Sequence, residues 1–485
     1  MNKALFWFRR DLRLEDNCGL YRCLEAHEQV IVTFLFDQQI LKHLPPQDKR
    51  VEFIWFCIQR LKQQLNAIGA DLIILHGTPA DIVALAQAQT VDAVYCNEDY
   101  EPDAVARDHE VQQQLATLGI GFKSFKDTVI FARREILTQQ DQLYHVYTPY
   151  KNMWRKQLES RHSLSYPSSK QLERLEKNDA QLMPSLESLG LAPTGLADAK
   201  LISTTAETMF EHFKAHKVLH YKENRDIPSI NGTSTLSVHL RFGTISIRTL
   251  VREILRLAKT LSGDDKESCE TWLNELIWRE FYFQILANYP HVATEPFKAQ
   301  YQHFPWRDDQ AGFQAWCNGE TGYPLVDAAM AQLNTLGFMH NRLRMLTASF
   351  LIKLMLIDYR WGERYFALKL LDFDLAANNG GWQWSASTGC DAQPFFRIFN
   401  PMTQSKKFDP DGLFIKKYLP IFADVPAQYL HEPWLYADIL AGYGIILGRN
   451  YPLPIVNYEQ ARARALQQLA HFKDQQTTRV KTAPK

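Results

Sequence analysis

The chain has 485 residues, more than one hydrophobic core usually serves, so two large domains or roughly three smaller ones are expected. Hydrophobic residues at 46% and charged residues at 22% are ordinary for a globular protein, and no run of about 18 uncharged apolar residues offers a membrane-spanning helix. Lysine and arginine balance aspartate and glutamate at 54 each, which excludes a strongly basic nucleic-acid-binding domain; any nucleic-acid site must be a local patch.

From residue 4 to about 126, short apolar runs alternate with amphipathic stretches. Ala4–Phe8, Val30–Phe36, Asp71–His76, Val91–Cys96 and Gly121–Phe125 read as strands, with Glu52–Ile68 and Asp103–Leu118 among the intervening helices. This alternation predicts an α/β domain over residues 1–130 built on a doubly wound, mostly parallel sheet, which takes ligands at the carboxyl ends of its strands. Neither G-x-G-x-x-G nor a P-loop sequence is present, so no nucleotide fingerprint marks it. The first apolar run is too short for a signal peptide and is followed by Arg9 and Arg10, where a secretory signal would place its charge first; the chain reads as cytoplasmic. Seven scattered cysteines (Cys18, Cys23, Cys57, Cys96, Cys269, Cys317 and Cys390) lack C-x-x-C or metal-type spacing, fit a reducing compartment and read as small buried hydrophobes, so no metal is expected.

Residues 131–205 read as an interdomain linker, with SYPSSK and GLAPTGLADAK as breaker clusters. Residues 206–472 then show helical periodicity almost without strand signals, clearest over Glu267–Ala287, Tyr323–Thr335 and Asn341–Ile357, and predict an all-helical domain. The basic tail, 473–485, is expected to be disordered.

Three groups in the helical part carry chemistry. In Gly232-Thr-Ser-Thr-Leu-Ser237, hydroxyls at the start of a helix can cradle a phosphate, although capping is the commoner use. In Trp272-Leu-Asn-Glu-Leu-Ile-Trp-Arg-Glu-Phe-Tyr282, the residues Glu275, Trp278, Arg279 and Tyr282 share one helix face, either a surface for stacking and hydrogen-bonding a base or an amphipathic rim. Leu371-Asp-Phe-Asp-Leu-Ala-Ala-Asn-Asn-Gly-Gly-Trp-Gln-Trp384 combines acceptors and donors at Asp372, Asp374 and Asn378 with Gly380 and Gly381, where backbone can approach a heteroaromatic ligand; the other reading is a capped helix end with a turn. Basic pairs at Arg342/Arg344, Lys406/Lys407 and Lys416/Lys417 are weak signals of a patch.

Together with Trp7-Phe-Arg-Arg-Asp-Leu-Arg-Leu-Glu-Asp-Asn17 and Gly322-Tyr-Pro-Leu-Val-Asp327, these groups resemble the photolyase/cryptochrome family over essentially the whole chain. The resemblance implies an α/β domain followed by a helical domain that holds FAD. The family's flavin contacts fall on Tyr221, Thr233, Ser234, Thr235, Leu236, Ser237, Trp272, Arg344, Asp372, Asp374 and Asn378. Trp278, Trp384, Glu275, Asn341, Met345 and Asn378 are similar to class I cyclobutane pyrimidine dimer photolyases rather than to six-four enzymes or plant cryptochromes. That implies light-driven electron transfer from fully reduced, anionic FAD to a dimer flipped out of UV-damaged DNA, single- or double-stranded, by a monomer with no membrane partner. Glu275 and Asn341 would hydrogen-bond the bases, with Glu275 protonated. Matches to the family's DNA-contact segments add Arg279, Tyr282, Arg342, Leu343, Arg344 and Gln404, and Arg397 contributes charge.

Two departures stand out. The family's photoreduction relay of three tryptophans is matched by Trp306 and Trp382, but Tyr359 stands in the middle, with Trp361 two residues on as a possible substitute. Where folate-binding photolyases have Asn-Glu, this chain has Asp103-Ala104; 5,10-methenyltetrahydrofolate is the first expectation for an antenna, with 8-hydroxy-5-deazaflavin or none as alternatives. A cryptochrome receptor and a dark, nicotinamide-using flavoprotein are the competing functional readings, the latter disfavoured by the missing glycine fingerprint.

Overall fold

Five apolar runs form five strands, β1 (Lys3–Phe8), β2 (Gln29–Asp37), β3 (Leu72–Gly77), β4 (Ala93–Asn97) and β5 (Gly121–Phe125), close to their expected bounds. This computed structural model describes residues 2–196 and 200–482. All pairings are parallel in the order β3-β2-β1-β4-β5, with Phe6 opposite both Val32 and Tyr95. Crossover helices, among them Lys49–Asn66 and Pro102–Thr117, connect the strands. A parallel sheet covered on both faces selects continuous apolar runs over alternating ones, and β1 is buried from Ala4 to Phe8.

The chain forms two compact units. The first takes Met1–Lys222 and Ser234–Pro290; the second takes Glu223–Thr233 and His291–Lys485. The borders expected near residues 130 and 206 therefore lie elsewhere, because buried charges tie later helices to the sheet unit. Arg248, on the helix Ile247–Lys259, donates to Asp127 Oδ1 at 2.7 Å and to Asp16 Oδ1 at 3.0 Å, while Arg13 also pairs with Asp127. Burial would raise the Asp127 pKa, but the Arg13 and Arg248 guanidinium groups hold it at about 2.

The helix Gly263–Asn288 is fixed in the same unit by Glu280. Its buried carboxylate accepts from Ile130 N at 2.6 Å, Phe131 N at 3.1 Å and Trp154 Nε1 at 2.6 Å. Burial nevertheless pushes its pKa up to about 7. The segment expected as a linker also packs here. Leu175, Leu186 and Leu189 are buried, Glu176 N donates to Val30 O at 2.9 Å, and Trp55 Nε1 donates to Pro184 O at 2.8 Å. Scattered leucines without helical or strand period had concealed that packing. Residues 197–199 of its second breaker cluster lie outside the described residues.

The second unit is helical; beyond β5 no strand occurs among the described residues. Its core gathers Trp316, Val326, Met330, Leu343, Leu351, Phe366 and Trp382. The helix expected over Asn341–Ile357 is α-helical only for Asn341–Ser349, continues as a π-helical turn at Phe350–Leu354, and is followed by Leu356 at φ +57°. The Gly322–Asp327 motif is a buried latch in which Asp327 accepts from Thr321 N, Thr321 Oγ1, Gly322 N and Tyr451 OH. Gly322 has φ +78°, and a Cβ there would meet Pro454 N at 2.5 Å, so glycine is required. The terminal helix Tyr458–Thr482 takes in the first ten residues of the tail expected to be disordered; 483–485 lie outside the described residues. No helix among the described residues is long and apolar enough to cross a membrane. Six cysteines are buried as expected, and Cys390 is half-buried.

Arg248→Ala strands two buried carboxylates with less counter-charge and is expected to destabilise the protein by about 3–5 kcal/mol, read as a lower urea midpoint. Glu280 has a folded pKa raised to about 7, so its contribution is full below about pH 4.5 and is lost as pH rises through 7. Across that window, stability measured for wild type should fall relative to Glu280→Gln by up to about 1.4 kcal/mol per pH unit.

Candidate functional site

In the first unit, Glu280 lies on the opposite side of its helix from Glu275, Trp278, Arg279 and Tyr282, so anchoring one face turns the other outward. All four are half-buried, whereas Leu276, Ile277 and Phe281 are core. The stripe is thus an interrupted surface and not a rim of solvated charge. Trp278 stacks on Tyr147 with ring centroids 3.5 Å apart and planes at 9°, and leans on Tyr282 at 5.6 Å. Tyr147 is held in turn by donating its hydroxyl to Asn274 O at 2.8 Å. One face of the indole is therefore taken by Tyr147, and the side chain is still half-buried rather than core. Arg279 donates to Thr128 O at 2.8 Å and lies over the Phe283 ring.

Trp272 is a core residue: it is buried against Phe210 at 5.6 Å and Phe213 at 5.2 Å. Tyr221 meets the other side of the same neighbourhood through Phe213, at 5.9 Å, so the structure brings these two sequence-picked residues together. Among the hydroxyl residues, Ser234 and Thr235 are half-buried and Ser237 is exposed at the start of the six-residue helix Ser237–Phe242, with Leu236 buried beneath. Thr235 stands at φ +55°, a left-handed conformation that a β-branched residue adopts only under strain of about 1–3 kcal/mol. Strain of that kind marks a loop shaped for more than connection.

In the second unit, Thr233 is half-buried. Gly232 there is explained by packing, since a Cβ would meet Asn224 Cβ at 2.6 Å. Arg344 donates to both Asp372 oxygens, at 3.1 and 2.8 Å, and to Met339 O at 2.8 Å. Asp374 caps the helix Leu375–Ala386 at Ala377 N, and Asn378 Nδ2 donates to Glu363 O at 3.1 Å. A Cβ on Gly381 would meet nothing within 4 Å, so backbone there is open to approach. Asn341 is exposed and lies 4.0 Å from Met345 Sδ at the start of the helix Asn341–Ser349, which His340 caps through Arg342 N. Arg342 pairs with Asp226 at 2.7 Å and covers the Phe408 ring of the helix Pro401–Phe408, which carries Gln404, Lys406 and Lys407. Leu343 is fully buried and serves the core. Arg342 and Arg344 are thus both paired with carboxylates, while Arg397, Lys407 and Lys417 are exposed.

Trp382 is buried and Trp384 half-buried on the helix Leu375–Ala386. Gly362 makes room for Trp382, whose Cη2 a Cβ there would meet at 2.1 Å. Trp306 and Tyr359 are 6.5 Å apart between ring centroids. Burial pushes the Tyr359 phenol well above its usual range. A second file of rings runs from Trp382 to Trp316 (6.1 Å), Phe313 (5.9 Å) and Trp361 (5.3 Å).

At the sheet's switch point between β1 and β4, where ligands enter such folds, Arg9 reaches Asp108 and Asn97 O, and both Arg9 and Arg107 cover Trp7. Asp103 and Ala104 lie on the first turn of Pro102–Thr117, Asp103 exposed and Ala104 half-buried. Sequence reasoning missed Tyr147, Asp226 and Trp316; of these, only Tyr147 left a trace, in the spacing of Tyr144, Tyr147 and Tyr150.

A family model described as DNA photolyase matches residues 4–170, and one described as FAD binding domain of DNA photolyase matches residues 272–471. The chain is 39% identical to the deoxyribodipyrimidine photo-lyase of Halobacterium salinarum, covering 95% of this chain and 98% of that protein. It is 38% identical to the one of Escherichia coli, covering 96% and 98%. Among solved structures, a class III photolyase from Agrobacterium tumefaciens superposes with a TM-score of 0.89 at 32% identity over 98% of each chain. With the fold and both halves of the sequence in agreement, the chain belongs to the DNA photolyase family.

Proposed function

We propose that the chain is a deoxyribodipyrimidine photo-lyase, which uses blue light to split cyclobutane pyrimidine dimers in DNA and restore the two pyrimidines. The observation that carries this reading is the half-buried stripe of Glu275, Trp278, Arg279 and Tyr282, backed by Tyr147, in a chain that matches deoxyribodipyrimidine photo-lyases along almost its whole length.

When bound and fully reduced as the anion, FAD would supply the excited-state electron for splitting the dimer. The residues fit such a group. Thr233, Ser234, Thr235 and Ser237 suit its diphosphate, around the strained Thr235. Leu236, Tyr221 and Trp272, all buried, would support this region from the core. The Arg344–Asp372 pair, with Asp374 and Asn378, offers donors and acceptors to the edge of a heteroaromatic ring.

The rings of Trp278 and Trp384 would stack the two pyrimidines of a flipped-out dimer, a lesion that pairs poorly and is therefore cheap to extrude. Glu275, protonated, and Asn341 would donate hydrogen bonds to base carbonyls that gain negative charge, and Met345 would pack beside them. Arg279, Tyr282, Arg342 and Gln404 would position the DNA, while Arg397 and Lys407 would attract phosphate. Arg344 would act mainly through Asp372 and Leu343 through packing. The enzyme would act as a cytoplasmic monomer on single- or double-stranded damaged DNA. For the antenna, 5,10-methenyltetrahydrofolate stays the first reading and 8-hydroxy-5-deazaflavin or none the alternatives.

Reduced protein mixed with dimer-containing DNA should release unlinked thymine in blue light and none in darkness. Recovery that ignores light, or none in either condition, would sink the proposal and favour a receptor. Repair and photoreduction should also separate by residue. Trp278→Ala is expected to weaken lesion binding by about 1–3 kcal/mol and to leave photoreduction of the flavin unchanged. Trp382→Phe should stop photoreduction, while protein reduced with dithionite still repairs. If Tyr359→Phe photoreduces normally and Trp361→Phe does not, the second file of rings carries the charge.

A further inference from the structure

A lysine side chain loses most of its hydration when it is fully buried, and such groups survive only where other atoms replace the water. Lys353 is fully buried in the π-helical turn Phe350–Leu354 of the second unit. Burial, and then the charge of Arg397, pull its pKa down to about 7. Its ammonium has three donors and meets three oxygens: Ser387 Oγ at 3.0 Å, Phe395 O at 3.2 Å and Pro394 O at 3.5 Å. It also lies 4.8 Å from the centroid of the Phe395 ring.

All three acceptors belong to one irregular stretch, residues 387–395. It begins where Ser387, at φ +69°, ends the helix that carries Trp382 and Trp384. Immediately after it come Phe396, 67% exposed, and the exposed Arg397. Lys298 holds the near end, donating its backbone N–H to Thr388 O at 2.9 Å. Lys353 draws Ser387 towards Pro394 and Phe395, beside a bond from Gln393 Nε2 to Ser385 O at 3.4 Å, and so closes the loop at its base. A methionine of similar volume would fill the space better than a charge does, so packing gives no reason for the ammonium.

We propose that Lys353 is a positioning residue for DNA docking: from inside the core it clamps the loop 387–395 and thereby presents Arg397 and Phe396 to the DNA. This rests on the reading of the chain as a photo-lyase. Lys353 touches neither substrate nor cofactor; it acts through the backbone of the loop. The π turn is the local adjustment that sets the lysine among those oxygens, a use of π-helical geometry common near functional sites.

The test uses the full chain with FAD and four variants: Lys353→Met, Ser387→Ala, Arg397→Ala and the Lys353→Met/Arg397→Ala double. Hydrogen exchange should quicken in residues 387–398 of Lys353→Met and, less strongly, of Ser387→Ala, with the helices Asn341–Ser349 and Tyr359–Lys369 unchanged. Affinity for a dimer-containing strand should fall about tenfold in Lys353→Met, and Arg397→Ala should add little to it, because the two act through one contact. Photoreduction of the flavin and the yield of repair per bound dimer should match wild type. Unchanged exchange in the loop, or full additivity of the two substitutions, overturns the proposal while leaving the photo-lyase reading intact. A wild-type chain that binds damaged and undamaged strands equally overturns that reading, and the docking role of Lys353 with it.

Discussion

A carboxylate removed from water has to be met by hydrogen-bond donors, and directional donors fix orientation where apolar contact cannot. Glu280 is the clearest case. Two backbone amides at residues 130 and 131 and the Trp154 indole converge on it, so the helix Gly263–Asn288 cannot roll about its axis without abandoning a buried charge. Because Glu275, Trp278, Arg279 and Tyr282 lie opposite, their outward setting follows from that one carboxylate. The stacked Tyr147 then takes one face of Trp278 and fixes the plane of the indole.

The same device recurs wherever the backbone is irregular. Asp127 gathers Arg13 and Arg248 beyond the end of β5, Asp327 closes the turn at Thr321 and Gly322, and Lys353 closes the loop that follows Trp384. Hydrophobic burial supplies most of the driving force for folding, but it is non-directional. Buried charges with complete sets of partners specify which loop goes where. Glu280 and Lys353 each lie on or beside a segment that bears candidate site residues, so there the fold and the site are specified together.

Electrostatics at the candidate DNA surface are more economical than the basic pairs imply. Arg342 and Arg344 are engaged by Asp226 and Asp372, so their contribution is orientation more than attraction. Arg397, Lys407 and Lys417 are exposed cations, in a chain of zero formal net charge. On the proposed function, discrimination would fall to the aromatic surfaces, which a base reaches once it leaves the stack.

The sequence by itself determined what short-range pattern encodes. Five strands, a helix over Glu267–Ala287, the stripe upon it and the family motifs were all legible, because short apolar runs and a period of 3.6 are written within a dozen residues; that Asp374 begins a helix was not. Tertiary structure alone decided that Ile247–Lys259 belongs with the sheet unit, that the leucines of 175–189 are packed and not a spacer, that Trp272 and Leu343 serve the core, and that Asn341–Ile357 breaks into a π turn. It alone paired Arg342 with Asp226 and Trp278 with Tyr147, partners more than 100 residues apart in the chain. The reason is physical: burial of a charge and stacking of a ring depend on whatever the fold brings alongside, and no local period carries that information.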